Sequence, residues 1–236
     1  IGFVLGPCIN ASGRLDTAAR SLALLNAKTK EEAARLAGDL TALNQSRKAL
    51  TEKGKEEAIR IIETTELKND RVLVVYLPDC HESLAGIIAG RIREKYHRPA
   101  FVLTGGETSA KGSGRSIESY SMYEELVKCA DLMIQFGGHP MAAGLSIEEK
   151  NIEEFRRRLN VNCTLTDEEL RPKIVIDVPM PVSYITKELV EQISLLEPFG
   201  KGNTKPVFAQ KNLRVLDYSI ICLLYTSPSP RDRSVS

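Results

Sequence analysis

Hydrophobic positions along the chain fall into alternating helical and strand-like stretches. Thr29 and Glu32 form a capping box, in which each side chain satisfies a free backbone N–H at a helix start. Leu36, Leu40, Leu43 and Leu50 follow at helical spacing and predict one long helix to about Ile62, with Gly54 a soft point. So long a helix fits a bridge between two domains; a plain core helix is the alternative. Arg71 to Leu77 is a near-continuous apolar run, as expected of a strand buried on both faces, and Pro78-Asp79 closes it. Leu84 to Tyr96 places Ala85, Ile88, Ala89 and Ile92 on one helical face. Pro99 forces the chain extended, Ala100 to Leu103 makes a second strand, and Gly105-Gly106 turns it. Ser121 with Glu124 predicts a capped helix running towards Gln135, and Ser146 with Glu149 another ending near Leu159. The alternation predicts an α/β fold, a sheet with flanking helices.

Five segments follow from these patterns. Residues 1–25 read as the end of a preceding domain, with a Gly6-Pro7 turn and a polar, flexible Asn10-Ala11-Ser12-Gly13-Arg14 run. Residues 26–66 are a connecting helix and residues 67–160 the α/β domain. Residues 161–221 open on a polar linker and begin a mostly β module. Its expected elements are a strand at Ile174-Val175-Ile176, a helix near Lys187 to Leu196, a glycine-rich loop from Pro198 to Asn203, and strands at Pro206 to Ala209 and Leu213 to Leu216. Residues 222–236 change abruptly to Ser, Pro and Arg and read as a non-native tail. The first residue is Ile1 with no basic flank, which reads as the middle of a longer protein and not as a signal peptide.

Composition narrows the chemistry. With 32 basic and 31 acidic residues among 236, any anion site must be local. Five scattered cysteines form no CxxC pair, which argues against a zinc framework and for a reduced, cytoplasmic setting. No apolar stretch reaches the roughly 20 residues of a membrane span.

Two glycine runs carry the candidate chemistry: Lys111-Gly112-Ser113-Gly114-Arg115-Ser116 and Gly137-Gly138-His139. Glycine has no Cβ, so an anion can approach the main chain closely. Arg115 could grip a phosphate at two points, with hydroxyl donors from Ser113 and Ser116. His139 could donate through one ring nitrogen. Alone, the first run also fits a β-turn with an exposed arginine, and a single histidine a structural role. Together they point to a nucleotide or nucleic-acid backbone as ligand. His81 lies between a buried strand and a helix start, where free N–H groups face an anion. Asp79, His81 and Glu82 are also a metal alternative, without a second cluster to support it. His97 reads as a solvated turn residue, and Asn10 and Arg14 face the same cleft if the long helix folds back. Gly200-Lys201-Gly202 lacks the spacing of a P-loop.

These runs together resemble the RecJ-type single-strand-specific exonucleases of the DHH phosphoesterase superfamily. Gly6 to Arg14 resembles the end of the catalytic DHH domain, and the run from Cys80-His81-Glu82-Ser83 to Arg91 the opening of the DHH-associated domain. Gly112 to Ser116 and Gly137-Gly138-His139 are similar to its ligand-binding signatures, and Glu197 to Asn203 with Pro206-Val207-Phe208 to the start of an OB-fold-like domain. Cys80 stands where the family usually has Trp, and Ser83 where it usually has Gly. The resemblance implies a 5′-to-3′ exonuclease specific for single-stranded DNA, acting in repair and recombination as a monomer. It implies two divalent metal ions, manganese or magnesium, in a DHH domain; the Asp-His-His motif is not in this sequence, so no metal and no catalytic residue is expected here. Asn10, Arg14, His81, Ser113, Arg115, Ser116, Gly137, Gly138 and His139 would bind the strand, and a single-strand-binding protein is a further candidate partner. Two alternatives stay open: a DHH-family phosphodiesterase for short oligoribonucleotides or cyclic dinucleotides, and a non-catalytic nucleic-acid-binding module.

Overall fold

The computed structural model describes residues 5–106, 108–200 and 202–214. The 222–236 tail, Lys201 and the last two residues of the expected Leu213–Leu216 strand lie outside the described residues. The chain divides into two units, residues 1–172 and 173–236.

The first unit opens on three helices, α1 (Leu5–Leu15), α2 (Ala19–Leu25) and α3 (Lys30–Thr64). The Asn10–Arg14 run, expected to be flexible, is helical. Pro7 falls in the first turn of α1, where its missing N–H breaks no helical bond. The Ser12 and Ser21 hydroxyls lie 2.7 Å apart, and both donate to the Ile9 carbonyl, which fastens α2 to α1. α3 starts as its cap predicts: Thr29 Oγ1 accepts from the Glu32 N–H at 3.2 Å. Glu32 reaches back one residue further than expected, to the Lys28 N–H at 3.1 Å. Leu40 is buried in the half of α3 that packs on α1 and α2, whereas Leu50 is exposed.

A five-stranded sheet follows, made of β1 (Leu73–Leu77), β2 (Ala100–Thr104), β3 (Ala110–Arg115), β4 (Met133–His139) and β5 (Ala142–Ile147) in the order β1-β2-β3-β5-β4. β1 and β2 are parallel, joined by the crossover helix α4 (Glu82–Tyr96); the other pairs are antiparallel. α5 (Met122–Val127) precedes β4, and α6 (Ile152–Asn162) follows β5.

Gly54 is not a soft point. α3 runs through it, and a Cβ there would come within 2.6 Å of Ile88 Cδ1, so the missing side chain admits α4. Two expected helix starts are also corrected. Ser121 makes no cap hydrogen bond, α5 stops at Val127, and Met133 to Gln135 belong to β4. Ser146 is a β5 residue, and α6 begins after Asn151. In both places pairing of β4 with β5 overrides local helix signals.

The sheet is buried on two sides. Leu73, Val75, Ala100 and Val102 pack with Ile88 and Ile92 of α4 and Ala58 and Ile62 of α3. Val74, Phe101, Leu103, Leu145 and Ile147 pack on the other side with Met122 and Leu126 of α5 and Phe155 and Leu159 of α6.

The second unit pairs β6 (Val178–Pro179) in parallel with β7 (Phe208–Ala209). It holds α7 (Lys187–Ser194), whose Thr186 cap accepts from the Leu189 N–H at 3.2 Å. The expected strand at Ile174–Ile176 is not one; its three residues are exposed and precede β6.

Candidate nucleic-acid interface

Strand alternation builds the site. Side chains two residues apart share a face. Registered across β3, β5 and β4, the face turned towards α4 carries three rows: Arg115, Ala142, His139; Ser113, Gly144, Gly137; and Lys111, Ser146, Gln135. In β1 and β2 the same face is filled by Leu73, Val75, Ala100 and Val102 beneath α4. Beyond β3 it turns small and polar. A trough of about 540 Å³ results, walled by Glu82 and Ser83 of α4 and floored by Ser113, Gly137 and Gly144.

Arg115 is the strongest feature of this face. It is partly buried, and its Nη1 donates to the Gly114 carbonyl at 2.7 Å. Among the described residues no carboxylate pairs with it. Burial pushes its pKa down, and the charge of Arg14 pushes the same way. A guanidinium stays charged regardless, so the pair is positive charge without a counter-ion. Arg14 reaches from α1 to donate to the Ser83 carbonyl at 2.9 Å, which brings the expected Arg14 to the trough. Asn10 lies one turn earlier on α1 and is exposed.

Gly86 makes room for this arrangement. A Cβ there would sit 2.7 Å from Arg115 Nη2 and 3.1 Å from Ser113 Oγ. Gly86→Ala is therefore expected to push the guanidinium aside and, for the single strand that the resemblance implies as ligand, to weaken binding severalfold. The melting temperature should hold or rise, since alanine favours helix by about 1 kcal/mol. Anisotropy titration beside a thermal melt checks this; unaltered affinity would mean that this resting place of Arg115 is not the binding one.

His81 caps α4. Its Nδ1 accepts from the Ser83 N–H at 3.3 Å and lies 2.8 Å from Ser83 Oγ, which leaves Nε2 for a ligand. His139 ends β4, exposed, and its Nδ1 accepts from the Met141 N–H at 3.3 Å. Ser116 leaves the expected set: it is buried, and its hydroxyl donates to the Tyr120 carbonyl at 2.5 Å. The glycines also need reassignment. A Cβ on Gly114 would lie 2.5 Å from Met122 Sδ, and one on Gly112 would press Leu145 and Leu103 at 3.0 and 3.2 Å. Both point into the core, so they serve packing and not close approach of an anion. Gly138 has φ +150°, and a Cβ would meet the Ala142 carbonyl at 2.4 Å, so the hairpin requires it to be glycine. Of the four, Gly112 and Gly137 line the trough, and only at Gly137 would a Cβ meet nothing within 4 Å.

Sequence reading missed Lys111, Gln135, Gly144 and Ser146. The signal was a period of two: Lys111, Ser113, Arg115 and Gln135, Gly137, His139 each alternate as strands do. The metal alternative at Asp79, His81 and Glu82 does not assemble. Among the described residues no three His, Cys, Asp or Glu side chains converge to hold an ion.

Residues 69–163 match the DHHA1 domain and residues 176–222 the RecJ OB domain. The chain belongs to the RecJ family. The RecJ of Bacillus subtilis, named a single-stranded-DNA-specific exonuclease, is 36% identical over 210 residues, 87% of this chain and 27% of that protein. The crystal structure of RecJ from Thermus thermophilus with Mg2+ superposes with a TM-score of 0.75 at 30% identity, covering 87% of this chain and 32% of that one. The same protein with Mn2+ gives 0.74 at 30% identity, covering 88% and 31%. The chain thus spans between a quarter and a third of the length of these RecJ relatives. The matched DHHA1 residues contain the whole sheet and its trough.

Proposed function

We propose that the complete protein is a single-stranded-DNA-specific exonuclease that works from the 5′ end in DNA repair and recombination, and that this chain supplies strand binding. The observation that carries the reading is Arg115. It is a partly buried guanidinium beside Arg14, paired with no carboxylate among the described residues, one row from the Ser113 that lines an open trough. Paired cations without a counter-ion in a polar groove suit the backbone of a single strand. Arg115, Arg14 and Ser113 would hold phosphate, with His81 and His139 at the rims and Gly137 on the floor. Asn10 would extend the same wall.

The relatives named above as RecJ support the activity, and the crystals of one of them with Mg2+ and Mn2+ support the use of divalent metal, proposed as two ions in the whole protein. Those ions would be held by residues outside this sequence, and they supply the phosphodiester hydrolysis. The RecJ OB match supports a strand-guiding role for the second unit and favours the exonuclease over a dinucleotide phosphodiesterase. A single-strand-binding protein is the proposed partner, and a cytoplasmic monomer the proposed form. Among the described residues no helix is long and apolar enough to cross a membrane.

The test is digestion by the complete protein. With Mn2+ or Mg2+ it should release nucleotides from single-stranded DNA and spare duplex. Activity confined to RNA dinucleotides or cyclic dinucleotides would favour the other phosphodiesterases. Residues 1–236 alone should bind the strand and cut nothing with either metal; nucleotide release by them would overturn the division of labour.

A further inference from the structure

Two glycines of the trough have no reason in the fold to be glycine. Gly137 and Gly144 are cross-strand partners in β4 and β5. Neither has a left-handed φ, which among the described glycines belongs to Gly138 and Gly202. A Cβ on Gly137 would meet nothing within 4 Å, and one on Gly144 only the Gly112 carbonyl at 3.8 Å, an ordinary contact. Gly86, Gly114 and Gly138 are different, because each gives way to a close neighbour. Glycine weakens a strand interior. Two of them side by side therefore destabilise the sheet, and packing offers no compensation.

Their place suggests what does. The pair lies in the middle row of the trough beside Ser113. One neighbouring row carries Arg115; the other carries Lys111, Ser146 and Gln135. Successive rows are two residues apart, roughly 6.6–6.8 Å. The bare floor is therefore bounded by a cation on one side and by hydrogen-bonding side chains on the other. Gln135 Nε2 reaches Ser146 Oγ only at 3.5 Å, so its carboxamide is weakly held. Lys111 pairs with Glu82 at 2.9 Å, with both side chains about half exposed, and such a pair exchanges readily for another acceptor.

We propose that the Gly137–Gly144 floor seats a nucleoside. The sugar and base next to the phosphate held by Arg115 lie flat on the bare peptide planes. The base edge meets Gln135, which offers both a donor and an acceptor, and Lys111, which offers donors. A side chain at either glycine lifts the ring off the floor. The inference rests on the reading that Arg115 holds a backbone phosphate, and it adds that the trough also senses whether a base is present.

The complete protein is used, in EDTA so that the strand is not cut. Two probes of equal length are titrated: oligothymidylate, and an oligomer of abasic tetrahydrofuran residues. The wild type should prefer the thymidine probe. Gly137→Ala and Gly144→Val should each reduce that preference roughly tenfold, the worth of one or two hydrogen bonds at the base edge. Both should melt at or above the wild-type temperature. Variants that keep the wild-type preference would overturn the nucleoside seat, and so would a fall in melting temperature, since the sheet itself would then need the glycines. Failure of the underlying phosphate reading shows separately, as unchanged binding of the abasic probe by Arg115→Ala.

Discussion

Arg115→Ala in the complete protein is expected to weaken binding of single-stranded DNA about 10- to 150-fold, the loss of a hydrogen-bonded charge worth roughly 1.5–3 kcal/mol. The guanidinium already sits partly desolvated against Gly86 and Ser113, beside the like charge of Arg14. An incoming phosphate relieves that repulsion and supplies the missing counter-charge, so this interaction is worth more than an exposed ion pair. The salt dependence of binding should flatten as well, by about 0.7 in the log–log slope for each phosphate of a single strand that the protein no longer neutralises. Arg115→Lys should recover only part of the affinity, because an ammonium cannot reproduce a two-point grip. Equal affinities of wild type and Arg115→Ala at moderate salt would remove the phosphate role from this residue.

The same arginine shows where sequence reading succeeded and where it stopped. Long periodic elements were legible. The α3 cap at Thr29, the β1 run and the buried face of α4 depend on local residue types and on spacings that survive any tertiary context. The Gly112–Ser116 and Gly137–His139 runs stood out as a candidate ligand site but were not legible as strands. Glycine is a loop signal locally, and here it is needed for packing against residues of other elements: Gly114 beneath Met122 and Phe101, and Gly138 against Ala142 across the hairpin. Those neighbours come from other elements and leave no mark on the run itself. The error over Ser116 has the same origin. A serine next to an arginine looks like a second donor, yet alternation along the strand turns it away, and its hydroxyl is taken by the Tyr120 carbonyl. Gly144 went unnoticed because its significance lies in its register with Gly137.

Phe155→Ala is expected to lower the stability of the first unit by about 3–5 kcal/mol, the usual range for removing a fully buried phenyl group. Phe155 is fully buried and meets Phe101 edge to face, with ring centroids 5.4 Å apart. For a unit of this size that corresponds to a fall in melting temperature of roughly 6–20 °C. The trough explains why the loss should fall at the severe end of that range. β3, β5 and β4 bury their apolar side chains on the α5 and α6 side, since their other face is small and polar and lines the trough. For β5 and β4 no second apolar layer compensates when the packing against α6 fails. Strand binding should then fall in step with unfolding and recover at temperatures where the variant is folded, whereas Arg115→Ala should bind weakly while melting like the wild type. A Phe155→Ala protein that melted within a few degrees of wild type would show that the three open-faced strands draw their stability from elsewhere.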